Sequence, residues 1–240
     1  MLMKNEAIVL RNTVLGDQKM IVDLFTDKMG CVPVITRFSA SSKGKFRKQL
    51  FSPLSLLEVE IDYKENSSLQ KLKNVSIGTP YTDIPFDSYK LSISFFISEI
   101  TYFALRGENE NKPLFDFISN SLQWLDAEPS SCPNFHLVYM MGLITFLGFM
   151  PNLDNYHEGD CFDLRNACFE TYSNAHGEYL NPAESSRIVT LARMNYSTMH
   201  LFHMSHTDRN RIVEVLVNFY RLHIPGFPQL KSLDVLKQLF

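Results

Sequence analysis

Residues 1–80 contain short apolar runs and one stretch in which polar and apolar residues alternate, and a period of two is typical of half-buried β-strands. The alternation is clearest in Leu54–Tyr63, where Val59, Ile61 and Tyr63 are separated by acidic residues. The other candidate strands are the short segments Ala7–Leu10, Met20–Phe25, Cys31–Thr36 and Leu69–Ile77. Five short strands in about 75 residues, with no long helix between them, predict a small closed barrel.

After residue 86 the apolar residues recur three or four positions apart, which is the spacing of amphipathic helices. The predicted helices cover Ser88–Arg106, Leu114–Leu125, Asn134–Leu147, Ser185–Arg193, Asp208–Leu222 and Leu233–Leu239. Asn181 is predicted to cap one of them, because Pro182 follows at the first helical position and Glu184 three residues after the cap. Between residues 151 and 180 the helical period lapses, and Gly and Asn residues predict an irregular insertion.

These patterns predict an α+β chain of two domains. Residues 1–80 form a barrel, for which the five-stranded oligonucleotide-binding (OB) fold is the candidate. Residues 81–240 form an all-helical domain that carries the insertion 151–180.

Composition indicates a packed globular chain, with 45% hydrophobic and 20% charged residues. Glu6 interrupts the short apolar N-terminus, and polar residues break the longest apolar region, Leu91–Leu105, so neither a secretory signal nor a membrane span is predicted. A cytoplasmic location is therefore expected. The four cysteines form no CxxC pair, and Cys31 and Cys132 are expected to be buried free thiols.

Positive charge is concentrated near the N-terminus. Residues 1–80 hold 12 Lys/Arg against 8 Asp/Glu, a balance of +4, whereas residues 81–240 hold 11 against 18, a balance of −7. Four cations lie within Lys43–Lys48, which suits neutralisation of nucleic-acid phosphates, although such a run can also be a solvated loop. Phe46 is either a platform for base stacking or an aromatic residue that packs into the barrel. The candidate DNA-binding residues are Arg11, Arg37, Lys43, Lys45, Phe46, Arg47 and Lys48.

Several short segments resemble, in order and spacing, those of one bacterial family. They are Glu6–Arg11, Met20–Thr26 with Gly30, Lys43–Arg47 with Leu50, Pro53 and Leu54, Leu57–Val59, Glu108-Asn109, Pro113–Phe115, Leu147–Phe149 with Pro151 and Leu153, and Lys231–Leu233. On these segments the chain resembles the RecO family of recombination mediators over its whole length.

The resemblance implies an OB domain followed by a helical domain, with no catalysis and no cofactor. It implies binding to single- and double-stranded DNA and annealing of complementary strands, including strands coated with single-strand-binding protein (SSB). It also implies that the protein acts with RecR to help load RecA, so that its relation to RecA is indirect. Contact with the SSB C-terminal tail is implied as well.

The chain departs from the family at the insertion, where many members have a four-cysteine zinc site. Structural zinc needs four closely spaced nitrogen or sulfur ligands. Here the insertion has only Cys161 and Cys168, with six residues between them, and His157 and His176 as the other possible ligands. A metal-free insertion is therefore expected, held together as a short hairpin by burial of Phe162, Leu164 and Phe169.

Two other functions remain open on sequence alone. Glu58, Glu60 and Asp62 would share one strand face, an arrangement that a metal-dependent nuclease could use to hold magnesium. The alternation with apolar residues also explains them as the solvated side of a half-buried strand. A protein–protein adaptor without direct DNA affinity is the second alternative.

Overall fold

The computed structural model describes residues 1–38, 46–130, 132–171 and 177–239. The chain forms two compact units, Met1–Glu128 and Pro129–Phe240. The predicted fold class is confirmed, since a closed five-stranded barrel precedes a series of helices. In the described part of the chain no helix is long and apolar enough to cross a membrane.

Five strands form the barrel in the first unit. They are β1 (Leu2–Leu15), β2 (Lys19–Thr26), β3 (Gly30–Arg37), β4 (Leu56–Asp62) and β5 (Gln70–Thr79). Their order around the barrel is β1-β2-β3-β5-β4, and β4 closes it by pairing with β1. The β3–β5 contact is parallel and aligns Val34 with Gln70 and Ile35 with Lys71, whereas the other strand pairs are antiparallel.

Strand β1 is much longer than the predicted run Ala7–Leu10. Its first half pairs with β4 and its second half with β2, and the register shifts between Val9 and Arg11. Polar residues in both halves face solvent, so an apolar run reveals only the middle of the strand. Such a shift bends a strand and lets it contribute to both sides of a barrel.

Two helices, α1 (Ser88–Ala104) and α2 (Lys112–Ala127), belong to the same unit as the barrel. Phe25 of β2 packs against Phe115 of α2, with ring centroids 6.0 Å apart. The backbone N–H of Cys31 donates to the Glu108 carbonyl at 2.9 Å, and its Sγ donates to the Leu105 carbonyl at 2.8 Å. Cys31 is only partly buried, contrary to expectation, but burial raises the pKa of its thiol to about 12. Cys132 is buried as predicted.

The segment that leads into α1 is fixed by the end of α2. The Asp126 carboxylate accepts hydrogen bonds from the backbone N–H groups of Thr82, Asp83 and Ile84 at 2.8–2.9 Å. Although burial raises the pKa of Asp126, these hydrogen bonds outweigh it and lower the pKa. The buried Lys90 ammonium donates to the Glu128 carbonyl at 2.6 Å, which satisfies an unpaired carbonyl at the end of α2.

Four helices and a small sheet form the second unit. The helices are α3 (Phe135–Leu147), α4 (Pro182–Arg193), α5 (His206–His223) and α6 (Ser232–Leu239), and the sheet contains β6 (Cys161–Asp163), β7 (Cys168–Glu170) and β8 (Tyr179–Leu180). The predicted cap of α4 is confirmed, because Asn181 Oδ1 accepts from the Glu184 backbone N–H at 3.0 Å. Asn181 Nδ2 in turn donates to Glu184 Oε2 at 3.1 Å.

The insertion contains the predicted hairpin, β6–β7, together with a third strand, β8, on the other side of β6. Phe162, Leu164 and Phe169 are buried as expected. Phe162 lies 4.9 Å from Phe169 and 6.1 Å from Phe219 of α5, measured between ring centroids. Aromatic packing against α5 therefore holds the insertion to its unit.

A carboxylate fixes the turn of this hairpin. Asp163 accepts from the backbone N–H groups of Arg165 and Asn166 and from the Tyr179 hydroxyl at 2.8–3.1 Å. Burial raises the pKa of Asp163, but the hydrogen bonds outweigh burial and lower it. The hydrogen bonds of the turn therefore favour the ionised form of Asp163.

Candidate nucleic-acid interface

The six cations among the predicted DNA-binding residues divide into three groups in the structure. Lys43 and Lys45 lie outside the described residues. Arg47 and Lys48 are exposed at the start of a 3-10 turn, Lys48–Phe51. Arg11 on β1 and Arg37 at the end of β3 are exposed on the barrel.

Phe46 is 7% exposed and belongs to the hydrophobic core of the barrel. Of its two predicted roles, packing into the barrel is the one that the structure shows. Its ring is not available to stack on a base in this conformation, because stacking requires an accessible face.

A groove of about 540 Å³ lies on the barrel where β3 meets β5. We call it the seam groove, and it is lined by Lys19, Ile35, Thr36, Arg37, Phe46, Lys71, Leu72 and Lys73. Strand register creates it, because Lys19 is the cross-strand partner of Arg37 and Ile35 is the partner of Lys71. Four cations therefore surround a partly apolar floor.

Most of this positive charge has no carboxylate partner within the part of the chain that the structure describes. Lys73 pairs with Asp62 at 3.2 Å, and the hydrogen bond from Lys73 lowers the pKa of that carboxyl. Among the described residues, Lys19, Arg37 and Lys71 have no carboxylate within ion-pair distance. Cations held near one another without counter-charges attract a polyanion.

Sequence reasoning placed Arg37 in the site but missed Lys19, Lys71 and Lys73. The two lysines of β5 alternate with the buried Leu72, so their shared outward direction could have been inferred. Their approach to Lys19 and Arg37 could not, because it depends on a parallel pairing between strands distant in sequence.

A second cationic feature lies on another part of the barrel surface. The Arg11 guanidinium carbon lies 5.2 Å from the ring centroid of Tyr102 in α1, and Nη1 donates to the Tyr102 hydroxyl at 3.3 Å. Arg106, just beyond α1, lies 5.4 Å from the same ring. Sequence analysis named Arg11 and did not single out Arg106.

The acidic face of β4 does not form a metal site. Glu60 pairs with Lys4 at 3.4 Å, and Asp62 pairs with Lys73. Within the described ranges, no three His, Cys, Asp or Glu side chains are placed so that they could hold a metal ion. Strand β4 therefore offers no metal site of the kind that the nuclease alternative requires, and its carboxylates form the solvated side of the strand.

The insertion places Cys161 and Cys168 on neighbouring strands, where Cys161 lies opposite Glu170 and Cys168 opposite Asp163. Burial and the nearby Glu170 and Asp163 carboxylates raise the pKa of Cys168, which disfavours the thiolate form that binds metal. His157 is exposed and lies 3.5 Å from Asp160, while His176 is outside the described residues.

Comparisons with known proteins agree with this architecture. The family model described as Recombination protein O N terminal matches residues 1–81, and the one described as Recombination protein O C terminal matches residues 85–234. The chain is 46% identical over 240 residues to DNA repair protein RecO of Phocaeicola vulgatus and 45% identical over 241 residues to that of Bacteroides fragilis. It is 32% identical over 246 residues to DNA repair protein RecO of Porphyromonas gingivalis, and each alignment covers 100% of both chains. The chain therefore belongs to the RecO family of DNA repair proteins.

Proposed function

We propose that this protein binds single- and double-stranded DNA through the barrel and anneals complementary strands, without catalysing a covalent step. The observation that carries the proposal is the seam groove, where Lys19, Arg37 and Lys71 have no ion-pair partner among the described residues. Cations of this kind bind phosphates by releasing counterions, so binding is expected to depend on salt and to be largely indifferent to base sequence.

Annealing needs no active site in this mechanism. Two strands repel each other through their phosphates, and a protein that neutralises phosphates lowers that repulsion. Base edges remain free to pair as long as the protein contacts the backbone. Arg47, Lys48, Lys43 and Lys45 would extend the phosphate-binding surface of the groove.

We further propose, from membership of the RecO family, that the protein acts with RecR to help load RecA on SSB-coated DNA. The role implies action in the cytoplasm, because bacterial chromosomal DNA lies there. The acidic SSB tail requires a local cationic site, and the candidate arginines in the second unit are Arg187, Arg193, Arg209 and Arg211.

The structure separates these four arginines by their contacts. Arg209 is buried and donates from Nε to Asn134 Oδ1 at 3.1 Å, so it supports the fold. Arg187 pairs with Asp208 at 2.6 Å, and Arg211 pairs with Glu184 at 2.7 Å. Arg193 is exposed at the end of α4 and has no ion-pair partner among the described residues, which makes it the preferred candidate.

A salt titration tests the DNA-binding proposal. The triple variant Lys19→Gln, Arg37→Gln, Lys71→Gln should weaken binding to unrelated single strands alike and reduce the slope of log affinity against log salt by about 2, at about 0.7 per contact. Annealing measured in EDTA should fall with it, because no metal takes part.

The matched control removes three exposed cations elsewhere, as Lys28→Gln, Lys64→Gln, Arg221→Gln. It should keep the wild-type slope. An unchanged slope in the groove variant would refute the site. Absence of any DNA binding at low salt would favour the adaptor alternative, and DNA cleavage in magnesium would favour the nuclease.

A further inference from the structure

Two arginines from different elements share one aromatic ring on the outside of the barrel. Arg11 comes from β1 and Arg106 from the turn just after α1, and both guanidinium groups lie 5.2–5.4 Å from the Tyr102 centroid. Arg106 also lies 5.2 Å from Phe103, whose ring contacts Tyr102 edge-on at 5.0 Å. We call Arg11, Tyr102, Phe103 and Arg106 the arginine cluster.

The aromatic rings hold these arginines without neutralising them. A ring attracts a cation through its quadrupole and carries no net charge, so the guanidinium N–H groups keep their capacity to bind an anion. In the described part of the chain neither Arg11 nor Arg106 has a carboxylate within ion-pair distance. The nearby carboxyl is Asp23, the cross-strand partner of Arg11.

Asp23 neutralises only part of the positive charge of the arginine cluster. It is one carboxyl facing two guanidinium groups, and burial raises its pKa, although Arg11 and Arg106 act in the opposite direction. Two like charges placed close together repel each other unless an anion lies between or beside them. The cluster therefore has unused affinity for an external anion.

Strand β2 connects the cluster to the seam groove. Lys19, Ile21 and Asp23 point outward on this strand, while the residues between them are buried. Lys19 lines the groove and Asp23 lies beside Arg11, so the two cationic sites are about 13 Å apart at the rise of a β-strand. The surface between them is partly apolar, because Ile21 lies directly opposite Ile35 of β3.

We propose that Arg11 and Arg106 form a second phosphate-binding site for the same DNA strand that occupies the seam groove, an inference that rests on the proposed function. Separated cationic sites with an apolar stretch between them match a ligand that alternates phosphates with bases. The planar fork of Arg also suits phosphate oxygens. Arg106 thereby extends the DNA surface from the barrel to the turn that follows α1.

Strand length tests this arrangement in the full chain. One oligothymidylate of about 4 nucleotides should fill the seam groove alone, and one of about 16 nucleotides should also reach the arginine cluster, both lengths being within the range of OB sites. Arg106→Gln should weaken binding of the long strand about five- to tenfold, the size expected for one solvent-exposed hydrogen bond of ordinary strength. It should reduce the salt slope for that strand by about 0.7 and leave binding of the short strand unchanged.

Two ring variants and a charge control sharpen the result. Tyr102→Leu should weaken binding of the long strand as Arg106→Gln does, whereas Tyr102→Phe keeps the ring and should retain most of the affinity. Arg221→Gln removes the same charge from an exposed position on α5 and should change neither strand. Equal melting temperatures would show that the variants fold.

The outcomes separate this inference from the proposed function. If the wild-type protein binds neither oligonucleotide, both fail. If it binds both and Arg106→Gln behaves like wild type, or weakens both lengths equally, the second site is refuted while DNA binding stands. Loss of affinity for a poly-glutamate peptide, with DNA binding intact, would assign the cluster to an acidic protein segment and overturn the inference.

Discussion

At the scale of the residue, Gly30 shows how closely the barrel and the segment after α1 approach each other. Its φ is +67°, a conformation that residues with a side chain rarely adopt. A Cβ atom there would lie 2.4 Å from the Glu108 carbonyl oxygen and from the Asn109 carbonyl carbon. The position therefore needs glycine for its backbone angle and for its lack of volume.

Gly30→Ala should destabilise the protein by about 2–5 kcal/mol, because a left-handed conformation costs about 1–2 kcal/mol and an overpacked contact about 1–3 kcal/mol. Urea unfolding of the purified variant measures the change. Gly16→Ala is the matched control, since Gly16 has φ +64° but no atom within 4 Å of its Cβ position. A similar loss in both variants would show that backbone conformation alone is responsible.

At the scale of the element, the small sheet of the insertion depends on its neighbours. Its strands are two or three residues long, too short to be stable in isolation. Contacts with α5 supply the stabilisation that these short strands lack on their own. Phe162 packs on Phe219, and the His223 ring lies 2.8 Å from the Leu164 carbonyl through Nε2.

The insertion should therefore fold without zinc. The double variant Cys161→Ser, Cys168→Ser should keep the wild-type melting temperature, and EDTA should not lower it, whereas Phe162→Ala should cost about 3–5 kcal/mol. Thermal melting and elemental analysis check this. About one zinc per chain, lost in the double variant together with stability, would contradict the prediction, because a structural zinc contributes on the order of 10 kcal/mol.

Helices and strands in which apolar residues recur at a regular spacing were predictable from the sequence. Features that depend on contacts between segments distant in sequence were not. The six predicted helices and five predicted barrel strands follow from apolar spacing. Most of their ends are displaced by a few residues, whereas β1 extends five residues beyond its predicted run at each end. Strand β8 has only two residues between polar ones, so it has no period to detect. Phe46 could not be assigned to the core, because its neighbours in sequence are cations and its neighbours in space come from distant strands.

At the scale of the whole molecule, the change in net charge along the sequence and the boundary between the two compact units fall at different residues. Net charge changes sign near residue 80, and the two family models meet at residues 81–85. The compact units instead meet at Glu128 and Pro129. Residues 1–128 hold 15 Lys/Arg against 16 Asp/Glu, so the cationic barrel and the acidic segment 81–128 form one nearly neutral unit.

A fragment of residues 1–128 should consequently melt at a higher temperature than a fragment of residues 1–81. Removing α1 and α2 exposes side chains that they cover, among them Phe25, and each fully buried apolar side chain contributes about 1.5–3 kcal/mol. Circular dichroism of the two fragments beside the full chain measures this. Equal melting temperatures would mean that the barrel is stable without its helices.

The closure of the barrel couples its stability to what it binds. In the described residues β3 and β5 pair over two positions, whereas β1 and β2 pair over eight. A short ladder opens more readily than a long one, so the seam is a place for local unfolding. The groove residues lie on both sides of it, so a strand that contacts Arg37 and Lys71 together binds only the closed form. At a free concentration 100 times the dissociation constant, such a ligand adds about 2.7 kcal/mol against opening. Bound DNA would then stabilise the closed barrel reversibly. Slower amide hydrogen exchange at Val34 and Ile35 in the presence of DNA would show this effect.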